Sequence, residues 1–308
     1  MKGLIVERAG PLALIQDGGR FGVRHLGVTQ GGAADWVSLG WANWLLGNAP
    51  QAPGVEITVG GLTLYAEAST TLALTGADLG ATLDNEPLAP GSCFTIAAGQ
   101  RLAFESPRTG LRAYLAFPGG LDAAPVLGSV ASTVRESLGG LDGQGRVLTE
   151  GDCLTWAGGT SGGERTLPSG AGTLPGDGER MTLALVGGAQ IADFSGASVF
   201  EAFNTPWQVD QRADRMGVRL SGPELRYLGE GMVSEGIPLG AVQVPADGQP
   251  IVLLNDRQTI GGYPRLGALT PLACARLAQC QPGTEVWLTP VSAGQARDAH
   301  LRQLAGWG

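Results

Sequence analysis

The chain has 308 residues, 43% of them hydrophobic and 16% charged, with 51 glycines and a formal net charge of −8. This balance supports a buried core and excludes a disordered chain, and glycine without a G-X-Y period points to many tight turns between short strands. The acidic excess argues against nucleic-acid or anionic-membrane binding, and no segment approaches the roughly 18 apolar residues of a membrane span.

In chain order, the N-terminal MKGLIVERAGP holds a four-residue apolar stretch, too short for a secretory core, so the cytoplasm is the expected compartment. ADWVSLGWANWLLGN reads as a helix with Trp36, Trp41, Trp44 and Leu45 near one face and Gly47-Asn48 as its stop. The segments VEITVGG, LTLYAEA, TLALTG, RLAFES and LRAYLAF then read as short strands, by period-two alternation or short apolar runs. Gly, Ser, Thr and Pro dominate 157–180, which reads as a linker between a β lobe at 1–156 and a second at 181–308.

In the second lobe MTLALVGG, GVRLSG, AVQVPADGQPIVLL and TEVWLTP read as strands, with Asp247-Gly248 as a hairpin turn framed by Pro245 and Pro250. Thr270 and Pro271 open a helix that stops before Pro282-Gly283, and Ser292 caps a last one. DGGRFGVRHLG and DRMGVRLSG echo each other, which favours two related β lobes over one large barrel.

Absences narrow the chemistry. Lys2 is the single lysine, so the body of the chain offers no Walker lysine, no Schiff-base lysine and no biotin acceptor. With two histidines, His25 and His300, and four scattered cysteines lacking a C-x-x-C pair, no metal site is expected. Carboxylates and arginines are the available tools, suited to binding a small carboxylate or amide and polarising its carbonyl.

Four segments combine charge with glycine. The first, IQDGGRFGVRHLGVTQGGAADW, carries Asp17, Arg20, Arg24, His25 and Asp35, and reads either as a solvated loop or as a backbone-lined pocket. LTGADLGATLDNEP, with Asp78 and Asp84, reads as a turn and a hairpin tip. In DQRADRMGVRLSGPEL, Asp210, Arg212, Asp214, Arg215 and Arg219 either pair on a surface or belong to a site. The fourth is SEGIPLGAVQVP with NDRQTIGGYPR, which contributes Glu235, Gln243, Gln258, Tyr263 and Arg265. There a buried Gln243 needs partners, and an extended chain would put Asp256 and Gln258 on one side and Arg257 and Thr259 on the other. Gly261-Gly262 is expected to adopt a backbone conformation closed to other residues, with Pro264 fixing the exit.

These motifs, in this order and over nearly the whole chain, resemble the family of the 5-oxoprolinase C subunit, also described as KipA, allophanate hydrolase subunit 2 or biotin-dependent carboxyltransferase-like. The resemblance implies a mainly β fold of two cyclophilin-like β-barrel lobes with a few short helices. It implies a hetero-oligomer with two further subunits, B (KipI-like) and A (LamB/YcsF-like). Together they would open 5-oxoproline to glutamate at the expense of ATP, held somewhere in the complex. Two alternatives stand beside that reading. One is a urea or amide carboxyltransferase-type subunit, accepting carboxyl from a biotinylated carrier and holding no covalent biotin itself. The other is a non-catalytic KipA-type antagonist of a KipI-like kinase inhibitor.

On this reading a small amide or lactam meets Asp214, Arg215 and Glu235 as catalytic residues. Gln243, Gln258, Tyr263 and Arg265 bind it, facing Asp17, Arg20, His25 and Asp35 from the first lobe. Arg215 or Arg265 would hold the substrate carboxylate by a two-pronged bond, and Asp214 or Glu235 would handle the amide proton if burial raises its pKa. The family has Ser-Gly-Ala-Met-Asp where this chain has Gly31-Gly32-Ala33-Ala34-Asp35. It has Ser and Thr where this chain has Ala213 and Ile260, departures that bear on the substrate rather than the fold.

Overall fold

The computed structural model describes residues 3–156, 158, 165–171 and 180–308. It is mainly β, with four α-helices among the described residues: α1 (Trp36–Leu45), α2 (Gly196–Asn204), α3 (Pro271–Leu277) and α4 (Ala293–Ala305). Two compact units emerge. One comprises Met1–Gly22, Gly31–Leu174 and Trp307, and the other Val23–Gln30, Pro175–Gly306 and Gly308.

The first unit holds two antiparallel sheets. Six strands run in the order Cys153–Leu154, Leu4–Ala9, Leu62–Ala66, Arg101–Ala103, Thr82–Leu83, Glu86–Pro87. Five run in the order Leu12–Gln16, Gly54–Thr58, Thr109–Ala116, Thr70–Asp78, Ser92–Ile96. Alternate residues of both sheets, among them Leu4, Val6 and Leu64 with Ile15, Ile57 and Leu115, make one core, as period-two side-chain alternation requires. The Asp84-Asn85 tip has both residues at positive φ, the geometry that a tight hairpin turn selects in Asp and Asn.

Helix α1 packs Ala42 and Leu45 against Ala73 and Ala116 of the five-stranded sheet. The side chain of Asp35 caps it by accepting from the Ser38 N–H, and the Ser38 hydroxyl donates to the same carboxylate. A second anchor is aromatic: the Trp307 ring meets Trp36 and Trp41 edge-on, with centroids 5.5 and 5.8 Å apart.

The second unit is a closed barrel. Its strand order is Met181–Gly187, Arg265–Leu269, Ala241–Gln243, Ile251–Leu253, Gly217–Ser221, Trp207–Val209, Glu285–Val291, returning to the first strand. The closing pair, Met181–Gly187 with Glu285–Val291, is parallel, and the others are antiparallel. Trp207, Leu220, Val242, Val252 and Leu266 fill the interior. The Asp247-Gly248 hairpin forms as expected, with Val242 opposite Val252 and Gly248 at φ 70°. Thr270 and Ser292 cap α3 and α4, and Ser292 closes a full capping box with Gln295.

Three features depart from the sequence reading. Helix α2 is additional; Val199, Ala202 and Phe203, at i, i+3 and i+4, pack it on the barrel core, a stripe of one turn that the sequence reading passed over. The echo between DGGRFGVRHLG and DRMGVRLSG is not structural, because Arg24–Leu26 forms a 3-10 turn whereas Gly217–Ser221 is a barrel strand. Part of the expected linker is packed: Arg165 donates to the Trp44 carbonyl at 2.9 Å and lies over the Trp44 ring, and Leu167 joins the α1 cluster. The rest of that linker, 157, 159–164 and 172–179, lies outside the described residues.

Gly40 sits inside α1, where glycine costs about 1 kcal/mol relative to alanine. A Cβ there would come within 2.2 Å of the Trp307 ring, so the glycine is a packing requirement. Gly40→Ala is expected to lower stability by about 1–3 kcal/mol in urea denaturation. In a Trp307→Ala background the same substitution becomes neutral or stabilising.

Candidate functional site

The segment that follows the Ile251–Leu253 strand does not run extended. Leu254 accepts from the Arg257 N–H at 3.2 Å, closing a turn over Asn255-Asp256, so the expected alternation of Asp256 and Gln258 against Arg257 and Thr259 does not apply. The turn aims Asp256 at Arg215. Nε donates to Oδ2 at 2.9 Å and Nη2 to Oδ1 at 3.1 Å, a two-pronged pair in which both residues are buried. The Asp256 N–H also bonds the Arg215 carbonyl. Arg215 thus directs its fork at an internal carboxylate, the geometry for which guanidinium is suited.

A second pair of arginines grips backbone. Nη2 of Arg24 donates to the carbonyls of Ile237, Gln258 and Thr259 at 2.8, 3.2 and 3.1 Å. Arg257, 2% exposed, donates to the same Ile237 oxygen at 3.2 Å and to Leu254 at 3.1 Å. Burial, then the nearby Arg24 charge, pushes the Arg257 pKa down to about 10, which leaves it charged at neutral pH. Above these groups opens a cavity of about 610 Å³, walled by Arg24, exposed His25, Ile237, Pro238, Thr259 and Ile260.

A polar cluster stands beside the cavity. Glu235–Gly236 and Ile260–Gly261 form a two-stranded ribbon with Glu235 opposite Gly261 and Gly236 opposite Ile260. Adjacent residues of a strand point to opposite faces, so Glu235 and the cavity-lining Ile260 lie on opposite sides of this ribbon. Glu235 Oε1 accepts from Arg265 Nη2 and from Gln190 Nε2, the latter at 3.2 Å, while Arg265 Nη1 donates to the Gly236 carbonyl. Gln243 is the register partner of Arg265 on the adjacent barrel strand and is 2% exposed.

Neither Gly261 nor Gly262 has positive φ, contrary to expectation. Space is the constraint at Gly261, where a Cβ would lie 2.5 Å from Ile237 Cδ1 and 2.9 Å from Gln243 Nε2. Tyr263 follows on the exposed rim, and Gln258 contributes its carbonyl to Arg24.

The remaining candidates hold the chain together. Asp214 is exposed, and its Oδ1 accepts from the backbone of Met216 and Gly217, a turn-capping arrangement. Asp17 takes the Gly19 and Val130 N–H groups and the Ser129 hydroxyl. Arg20, fully buried, donates to the Val126 and Ala131 carbonyls and to the Thr133 hydroxyl. Asp35 caps α1, as described. Asp17, Arg20 and Asp35 belong to the first unit, whereas His25 belongs to the second.

Sequence reasoning passed over Arg24 and Arg257 as site residues and Gln190 altogether. Arg24 and Arg257 stood in the quoted motifs, but nothing in a sequence shows which carbonyls a guanidinium reaches. Among the described residues no group of three or more His, Cys, Asp or Glu could hold a metal ion, and no helix is long and apolar enough to cross a membrane.

The model of the carboxyltransferase domain, subdomains A and B, matches residues 26–290, and the chain belongs to that family. Within it, the chain is 39% identical over 301 residues to the 5-oxoprolinase C subunit of Escherichia coli, covering 97% of this chain and 95% of that protein. It is 29% identical to the urea amidolyase of Lachancea kluyveri over 95% of this chain, but spans only 17% of that protein. The solved urea carboxylase of Kluyveromyces lactis superposes with a TM-score of 0.93 at 24% identity, covering all of this chain and 29% of that one, which establishes the shared fold.

The buried Arg215–Asp256 pair sets the turn geometry. Asp256→Asn, which strips one partner of its charge, is expected to destabilise by about 3–5 kcal/mol in chemical denaturation. The double replacement Arg215→Met, Asp256→Leu recovers most of that loss, because no unpaired charge then stays inside.

Proposed function

We propose that this chain works as the C subunit of an ATP-dependent 5-oxoprolinase complex in the cytoplasm. There it opens the lactam of 5-oxoproline to glutamate together with two partners, one KipI-like and one LamB/YcsF-like. The observation that carries this reading is the near end-to-end match with a protein named as that component. Two waters are consumed, one adding across the lactam C–N bond and one across a phosphoanhydride of ATP. With Lys2 as its single lysine the chain offers no phosphate loop of its own, so ATP is assigned to one of the partners.

Opening a lactam needs a polarised carbonyl and a proton for the departing nitrogen. Glu235 and Arg265 form a charged pair whose carboxylate reaches solvent, with 41% of the Glu235 side chain exposed. Arg265 is the residue to receive the substrate carboxylate, exchanging it for Glu235, which then becomes available to the amide. Arg215, engaged by Asp256, is the weaker candidate for that task.

A second reading, a urea-type carboxyltransferase accepting carboxyl from a separate biotinylated carrier, is supported by the similarity to urea amidolyase. The assembled complex of this chain with its two partners separates them. ATP-dependent glutamate formation is expected without any biotinylated carrier, and Arg265→Ala is expected to cut kcat/KM tenfold or more. Activity that appears only when the carrier is added overturns the oxoprolinase reading; unchanged activity in Arg265→Ala removes that residue from the site.

A further inference from the structure

Two amide side chains border the Glu235–Arg265 pair with polar atoms that have no hydrogen-bond partner among the described residues. They are Nε2 of Gln243 and Oε1 of Gln190, and both atoms are buried. The Gln190 orientation is dictated by chemistry. Its Nε2 faces the Glu235 carboxylate, which only accepts, so its oxygen is left as an acceptor. Burying an amide group without a hydrogen-bond partner is costly, so such a group is a place to look for a ligand. A partner that supplies both missing halves would present one hydrogen-bond acceptor and one N–H donor. A lactam, a primary amide or a ureide carries that pair on adjacent atoms.

The surroundings fit a ligand of this kind. Gln243 and Arg265 are direct cross-strand neighbours, and Glu235 stands opposite Gly261 on the ribbon. Gly261 carries no side chain over the Gln243 amide, where a Cβ would sit 2.9 Å from Nε2. Glu235, with 41% of its side chain exposed, is where this cluster meets solvent.

The geometry points to Gln243 and Gln190 as the amide-recognition pair of this chain: Gln243 Nε2 donates to the ligand carbonyl oxygen, and Gln190 Oε1 accepts from the ligand N–H. This assignment rests on the reading of the chain as part of a lactam- or amide-handling enzyme, and it makes both glutamines specificity-determining. It predicts selection of an amide over an ester, because Gln190 Oε1 meets a ring oxygen, rather than an N–H, when the ligand is a lactone.

The test is a titration of the full-length chain, alone and with its two partners, with 5-oxoproline, with its lactone counterpart and with urea. Wild type is expected to favour the lactam over the lactone by tenfold or more. Gln243→Met weakens both ring ligands at least tenfold. Gln190→Met weakens the lactam alone and so erases the preference. Thermal unfolding checks that the variants fold, and it carries an independent signature: Gln243→Met removes an unbonded buried amide, so the ligand-free chain should be at least as stable as wild type. A purely structural glutamine would destabilise when replaced.

Wild-type affinity in both variants, or no amide bound by wild type in either state, overturns the assignment. Undiminished glutamate formation by complexes carrying these variants also sinks it while sparing the oxoprolinase reading. Glutamine-dependent binding of urea, with 5-oxoproline neither bound nor opened, does the reverse.

Discussion

Two guanidinium groups converge on one carbonyl oxygen, that of Ile237, and the geometry of the second unit depends on the junction. Arg24 reaches it from the glycine-rich segment 23–30, and Arg257 from the turn after the Ile251–Leu253 strand. Like charges this close repel. They stay together because Ile237 and the turn from Leu254 to Thr259 present several carbonyls outside the barrel ladder, and each guanidinium takes more than one of them. The cavity walls and the ribbon carrying Glu235 are placed by this junction, and Arg215–Asp256 fixes the start of the same turn.

The composition anticipates this use of arginine. A chain with 51 glycines and short strands has much backbone outside regular ladders, and every buried carbonyl there needs a donor. Lysine supplies a compact point charge, whereas arginine supplies five donors in a planar fork. Arg20 tying Val126, Ala131 and Thr133 is the same device in the first unit. Several charges expected at a site also hold backbone: Asp17 and Asp214 tie turns and Asp35 caps α1, each by accepting backbone N–H groups.

Much of the architecture was legible beforehand. The strands named from period-two patterns all form, and three of the four described α-helices lie where caps and stops placed them. Local chemistry suffices for such features: Thr270 before Pro271, Ser292 three residues ahead of Gln295, Asp247-Gly248 between apolar runs. What failed were inferences needing a third dimension. Gly261 was read as a φ requirement and proved to be a clearance requirement against Ile237 and Gln243, which are 24 and 18 residues away in the chain. Composition marked 157–180 as a linker but carried no sign that Arg165 and Leu167 within it pack on α1, more than 100 residues earlier.

The sequence alone determined the mainly β character, the caps, the turns and the family, because each is written in the types and spacing of neighbouring residues. Tertiary structure decided which of the clustered charges pair with each other and which border an open polar cluster. Arg215 and Arg265 are equivalent as letters in a motif. One is buried against Asp256 and the other sits beside a solvent-reaching Glu235 and two amides with unpaired atoms. That distinction is set by burial and by long-range distances, which a one-dimensional pattern does not carry.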